Sequence, residues 1–386
     1  MPGHPYGAIN PPIVRSSTFS SPTAAEAARR FAGEAGLVYS RMENPTVAAL
    51  EQHLAELEGA EACVATASGM AAIHCALMAV LKPGARVVAD PCVYGCTHTL
   101  LDKLAGWGVE VVRCDTADPD ALKRAIGKRV DAVFIETPMN PTLRVVDLRR
   151  AADWTHKAGG KLVVDNTFCT PLGQRPLEFG ADLVVHSLTK GVNGHSDLLA
   201  GAVLGSEELV GRARDWRKDA GAVLDADTAW LVLRGARTLR LRVEAANQGA
   251  LDIAESLEAE GFTVRHPMLS GHPDHEVAAS QMEGCCVLTL DLGSEAAAMG
   301  FLDRLEVFTR AVSLGGYESL ASHPASTTHS AMPEAHRRAA GITPGLVRLS
   351  IGIEGTHVLL EDVLQALARR PAANVQVAPL ARTLKA

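Results

Sequence analysis

Asp165 closes the apolar run Lys161-Leu162-Val163-Val164-Asp165. A carboxylate at the end of a buried strand can bind a metal, a ribose hydroxyl or a ring nitrogen. One apolar run later comes Ser187-Leu188-Thr189-Lys190-Gly191. A lysine so soon after a strand, with hydroxyls one and three residues before it, can set an amine beside a phosphate that those hydroxyls hold. A third segment, Thr66-Ala67-Ser68-Gly69-Met70-Ala71-Ala72-Ile73, is a small-residue turn leading into an apolar helix. Its free N–H groups and the positive end of the helix dipole can face an anion. A lysine for a Schiff base, an acid for a pyridinium nitrogen and donors for a phosphate are the set that pyridoxal phosphate requires. Each has a plainer reading when met alone. Lys190 could be a solvated loop lysine, Asp165 the cap of a turn, and Ser68-Gly69 an ordinary helix start.

These residues need a frame, and the chain supplies one. From about residue 60 short apolar runs alternate with helical patterns. The runs are Ala85–Asp90, Val109–Arg113, Ala132–Glu136, Lys161–Asp165 and Ala181–His186. They are rich in β-branched residues and nearly all apolar, as expected of strands covered on both faces. Between them Pro119–Ile126 and Asp147–Ala158 read as helices, the latter closed by Gly159-Gly160. This alternation predicts a largely parallel α/β sheet. After about residue 240 the pattern changes to a long helix over Asn247–Gly261, a strand over Cys286–Asp291 and a closing helix over Val358–Arg369. The expected division is an arm over 1–50, a large α/β domain over 51–240 and a smaller α+β domain over 241–386. The arm is rich in Ser, Thr, Pro and Gly and is expected to wrap over a neighbour, and the polar tail after Arg370 is expected to be loose.

Bulk properties narrow the classes. The 386 residues are 47% hydrophobic and 21% charged, with a formal net charge of −7, which is ordinary globular composition. No basic run interleaved with aromatics points to nucleic acid. No apolar run reaches the roughly 18–20 residues that span a bilayer. Met1–Asn10 lacks a positive segment followed by an apolar stretch, so no secretory leader is expected. Eight cysteines in so long a chain read as free, mostly buried thiols in a reducing cytoplasm.

Seven segments in order make the chain resemble the Cys/Met-metabolism family of pyridoxal-phosphate enzymes. They are Tyr39-Ser40-Arg41 with Asn44-Pro45-Thr46, Ala67-Ser68-Gly69-Met70, Val93-Tyr94-Gly95-Cys96-Thr97, Glu136-Thr137-Pro138-Met139-Asn140-Pro141, Val164-Asp165-Asn166-Thr167, His186-Ser187-Leu188-Thr189-Lys190 and Val347-Arg348-Leu349-Ser350. The resemblance covers about Pro11 to Leu367. It implies a fold-type I, transferase-like architecture, with a mainly parallel seven-stranded sheet and a smaller α+β C-terminal domain. It implies that Lys190 carries the cofactor and moves protons, that Asp165 pairs with the pyridinium nitrogen, and that Asn140 lies near the ring's phenolic oxygen. Ser68, Gly69, Met70, Ser187 and Thr189 would hold the phosphate. Tyr39 and Arg41 would reach it from a neighbouring subunit, giving an active site shared across a dimer and a homotetramer of two such dimers. Tyr94 would stack on the ring and serve the leaving group as acid or base. Arg348, with the backbone of Ser313, would grip the substrate carboxylate, a task suited to a planar guanidinium.

Within that family the resemblance leans toward methionine γ-lyase. Val38 before Tyr39 and Val312 before Ser313 stand where cystathionine γ-lyases typically carry glutamates. Valines would desolvate a methylthio group and leave a distal ammonium unpaired. Cys96 and Lys218-Asp219 match the same branch, although Cys96 reads equally as a small buried hydrophobe. Gly191, Gly316-Tyr317 and the short N-terminus depart from the family pattern. The expected reaction is elimination from methionine, a sulfur amino acid, to methanethiol, 2-oxobutanoate and ammonia. The rivals are cystathionine γ-lyase, a γ-replacement enzyme such as cystathionine γ-synthase or O-acetylhomoserine sulfhydrylase, and a catalytically silent binding protein of the same fold. A purely Rossmann-type oxidoreductase ranks below these, because no Gly-x-Gly-x-x-Gly turn follows an early strand. Cys92, Cys96 and His98, and His272 with His275, have no second ligand pair at zinc spacing, so no metal is expected. His323, His329 and His336 read as loop and surface histidines.

Overall fold

The computed structural model describes residues 7–330 and 332–368, so the tail after Arg370 lies outside the described residues. Seven strands form the larger sheet: β1 (Ala62–Thr66), β2 (Arg86–Ala89), β3 (Glu110–Arg113), β4 (Ala132–Glu136), β5 (Lys161–Asp165), β6 (Leu183–Ser187) and β7 (Gly201–Gly205). Their order is β1-β7-β6-β5-β4-β2-β3, parallel throughout except for β7, which runs against both of its neighbours. The mainly parallel, seven-stranded expectation holds.

The sheet is apolar on both faces because each strand alternates into two cores. Along β4, Val133 and Ile135 enter one cluster while Ala132 and Phe134 enter the other. The first cluster is covered by helices such as Pro45–Glu58, Leu148–Lys157 and Ala226–Ala236, the second by Gly69–Val80 and Glu207–Ala220. Asp147 caps the helix that begins at Leu148, and Gly221 ends another in the left-handed region at φ 75°.

A second sheet, β8 (Thr263–Arg265), β9 (Val287–Asp291), β10 (Thr309–Arg310), β11 (Leu320–Ser322) and β12 (Leu346–Ser350), has the order β10-β11-β12-β9-β8 and is mostly antiparallel. Helices Leu239–Ala259, Glu295–Arg304 and Thr356–Leu367 share its core. The first of these starts eight residues before the expected Asn247. Its early turns carry arginines, which hid the apolar face at Leu239, Val243 and Ala246. The N-terminal stretch holds a helix, Ala24–Phe31, with no buried residue, and Pro11–Val14 lie along their own chain through bonds to Trp230, Asn44 and Thr46. Among the described residues no helix is long and apolar enough to cross a membrane.

Candidate active site

The carboxyl ends of β4, β5 and β6 bring three polar residues together. Asp165 ends β5 opposite Glu136 of β4. Its carboxylate accepts the Thr167 N–H at 3.0 Å, and the Thr167 hydroxyl in turn accepts the Ser187 N–H at 2.8 Å. Burial raises the Asp165 carboxyl above the usual range, opposed by the Thr167 hydrogen bonds and then by His186. Glu136 is pushed up to about 8, first by burial and then by Asp165. It accepts the Tyr94 N–H at 2.8 Å and so ties the Tyr94 turn to β4.

Lys190 stands in the turn after β6. Its Nζ donates to the Ser313 hydroxyl at 2.7 Å. Burial, then the charge of Arg348, lowers its amine to about 8, so a neutral, nucleophilic form is accessible near physiological pH. Arg348, on β12, is 3% exposed and donates to the Asn140 side-chain oxygen at 3.0 Å and the Ser313 carbonyl at 2.7 Å. Among the described residues its Nε has no partner, an open donor on a buried guanidinium. Ser313 thus meets both cations, through its hydroxyl and its carbonyl, and is held at φ 107°. A non-glycine residue there costs about 1–3 kcal/mol, which the Arg348 and Lys190 contacts offset.

The phosphate-binding expectation can be tested on the packing of Gly69. A Cβ at that position would stand 2.7 Å from the Cβ of Ser187, so only glycine lets the helix start approach the end of β6. Ser68 caps that helix by accepting the Ala71 N–H at 3.1 Å, which leaves the Gly69 and Met70 N–H groups without helical acceptors. The Ser187 hydroxyl faces this end, while the Thr189 hydroxyl exchanges bonds with Ala200 at 3.0 and 3.3 Å. A helix start with open donors, a half-buried lysine and a half-buried carboxylate fit pyridoxal phosphate.

Other expected residues lie apart within one chain. Arg41 donates to the Lys218 carbonyl at 3.1 Å and lies over the Tyr39 ring, 42% exposed, at 5.6 Å. No hydrogen bond links either to the Lys190 group. Val38 is half-buried and Val312 is 55% exposed. Tyr94 is 41% exposed, and burial, then the adjacent Cys96, raises its phenol. Cys96 is exposed, which removes the buried-hydrophobe reading. His323 and His329 are each 3% exposed, not surface residues, and the first is fixed by Ser326 and the Pro344 carbonyl. Among the described residues no three metal-ligating side chains gather.

Sequence reasoning missed three residues that shape the site. Glu136 and Thr167 stood inside quoted motifs without a role. Arg242, from the helix Leu239–Ala259, donates to the carbonyls of Gly191, Val192 and Gly235, clamping the turn that carries Lys190. Gly191 itself has a packing reason: a Cβ there would lie 2.8 Å from Thr170, and Gly315 presses on its backbone from the other side.

Comparison with known proteins agrees with this geometry. A family profile described as "Cys/Met metabolism PLP-dependent enzyme" matches residues 2–368. An L-methionine gamma-lyase of Fusobacterium nucleatum subsp. polymorphum is 43% identical over 373 residues, 94% of each chain. A cystathionine gamma-lyase of Bacillus subtilis is 43% identical over 366 residues, again 94% of each chain. Among solved structures, cystathionine gamma synthase from Xanthomonas oryzae pv. oryzae, in complex with aminoacrylate and cysteine, superposes with a TM-score of 0.89. It is 43% identical, covering 94% of this chain and 93% of that one.

Proposed function

The chain belongs to the Cys/Met-metabolism family of pyridoxal-phosphate-dependent enzymes, and from that premise we propose that it carries out the α,γ-elimination of L-methionine to methanethiol, 2-oxobutanoate and ammonia. The observation that carries this choice is Val312, directly before the Ser313 that contacts both Lys190 and Arg348. An apolar side chain there suits a methylthio group and gives a distal ammonium no partner. Pyridoxal phosphate, when bound, supplies an electron sink for charge developing on the substrate carbons.

The chain's own residues do the rest. Gly69 and Met70 N–H groups, with the side chains of Ser68, Ser187 and Thr189, would hold the phosphate. Asp165 would face the ring nitrogen and Asn140 the phenolic oxygen. Arg348 binds the substrate carboxylate with its open edge. Lys190, lowered to about 8, takes protons from the substrate's α- and β-carbons as a general base. Tyr94, raised above its ordinary value, is protonated at neutral pH and donates to the departing sulfur. Tyr39 and Arg41 serve the site of a neighbouring subunit, so the working unit is a dimer, paired into a homotetramer. Eight free cysteines support work in a reducing cytoplasm.

A second reading, cleavage or synthesis of cystathionine, is favoured by relatives of those names at equal identity. Val312→Glu separates the two. It should lower kcat/KM for methionine and raise it for cystathionine, each about tenfold, the scale of one hydrogen bond to a charged group. An unaltered ratio removes the valine from the argument.

A further inference from the structure

A cavity of about 1180 Å³ lies beside the Lys190 group, across the turn from Val93 to Gly95. None of Lys190, Asp165, Tyr94 or Arg348 lines it. Its floor is the carboxyl edge of β2, β3 and β4: Asp90 and Val93 follow β2, Arg113 ends β3 and Asp115 follows it, and Met139 follows β4. The chain leaves β2 for β3 on one side, then returns past it to place β4 on the other. The strand order therefore reverses between β2 and β4. In open α/β sheets such a switch point opens a crevice at the carboxyl ends, where ligands bind. The roof comes from the second sheet's side, through Arg265, Leu269 and His272.

The polar lining is selective about what it leaves open. His272 is 7% exposed, and its Nδ1 accepts the Asp274 N–H at 3.1 Å. The proton of the neutral ring therefore sits on Nε2, which is buried and has no partner among the described residues. Burial holds this imidazole neutral at physiological pH, at about 4. Arg265, whose charge lowers His272 further, donates Nη1 to the Gly341 carbonyl at 3.5 Å and forms no ion pair among the described residues. Arg113 gives one arm to Asp102 at 2.6 Å and keeps Nη1 without a partner.

The acids on the strand side are already engaged. Asp90 accepts from Cys92 and from the N–H and hydroxyl of Thr116, and Asp115 caps Ala117 and Asp118. Glu258 is exposed at the mouth, where water and salt screen its charge. The unpartnered buried groups of the lining, among the described residues, are thus ring and guanidinium nitrogens of His272, His329 and Arg113, beside apolar walls at Val93, Met139 and Leu269. A mostly apolar pocket with a few convergent donors fits an acceptor-rich ligand.

We propose that this crevice binds a small organic carboxylate, its apolar body against Val93, Met139 and Leu269 and its carboxylate on His272 and Arg265. The proposal does not depend on which sulfur amino acid is the substrate. The crevice and the cofactor site share one wall, the turn from Val93 to Gly95 that carries Tyr94, so an occupant would rest against a catalytic residue's backbone.

The test uses cofactor-loaded protein and 4-bromobenzoate, whose bromine is visible by anomalous diffraction. The expected result is a bromine peak between the β2–β4 edge and Leu269, with unchanged cofactor absorbance. In calorimetry, His272→Leu and Arg265→Leu should each weaken binding about tenfold, the scale of one hydrogen bond to a charged group. Bromine found only beside Arg348, or no bromine at saturating probe, overturns the proposal. So does wild-type affinity in both variants. The diffraction arm needs no variant and stands even if a substitution impairs folding.

Discussion

The chemistry converges on a pair of carboxyl groups with unequal surroundings. Burial raises both, but the Thr167 hydrogen bonds temper the rise at Asp165, while Glu136, beside it, is pushed up to about 8 by burial and by Asp165 itself. The folded protein therefore keeps a Glu136 proton that the unfolded chain releases above the ordinary value of 4.5. This group's contribution to stability is complete at lower pH and declines as pH rises through the folded value. Glu136→Gln keeps an oxygen for the Tyr94 N–H and removes the titration. In urea unfolding of cofactor-free protein, the variant's midpoint relative to the parent should climb between about pH 5 and pH 8 and level off above. Parallel pH curves would show that Glu136 is ionised in the fold. Lys190, Asp165 and Arg348 could be read from motif and order because a chemical requirement names their side chains. Glu136 could not: its partner Tyr94 is 42 residues away, and only the fold brings its N–H to the carboxylate.

The elements divide in the same way. β4 and β5 were legible because both faces of a parallel strand are buried and its residues run nearly all apolar. β1 and β7 went unread. Gly201–Gly205 is five residues bounded by glycines that closely packed backbone demands, and nothing local announces an antiparallel strand. The helix Leu239–Ala259 was seen only from its middle, since Arg242 looks like a solvated residue in sequence and is buried in the fold. It gives the helix a function at the site, because its guanidinium binds three carbonyls around the lysine turn. Arg242→Ala leaves those carbonyls without their donor. The cofactor-free protein should lose about 3 kcal/mol or more in urea unfolding. A loss below about 1 kcal/mol would mean that water replaces the clamp.

At the scale of the whole molecule, one chain assembles the Lys190 group but leaves Tyr39 and Arg41 beside Lys218. The arm's helix Ala24–Phe31 buries nothing in its own chain. If sites are shared, Lys190→Ala and Arg41→Ala proteins should complement when unfolded together and refolded as a mixture. Random pairing of equal amounts makes half the dimers mixed, each with one intact site, so up to roughly a quarter of parental activity should return. Activity no greater than the mean of the two variants would place Arg41 with its own chain's site. The central claim, elimination from methionine, is tested most directly by 2-oxobutanoate release from cofactor-loaded enzyme given methionine, homocysteine, cystathionine or O-acetylhomoserine separately. The expected result is turnover of methionine comparable to the best of these, with methanethiol formed in step. Inert methionine beside a reactive cystathionine or activated homoserine would contradict it.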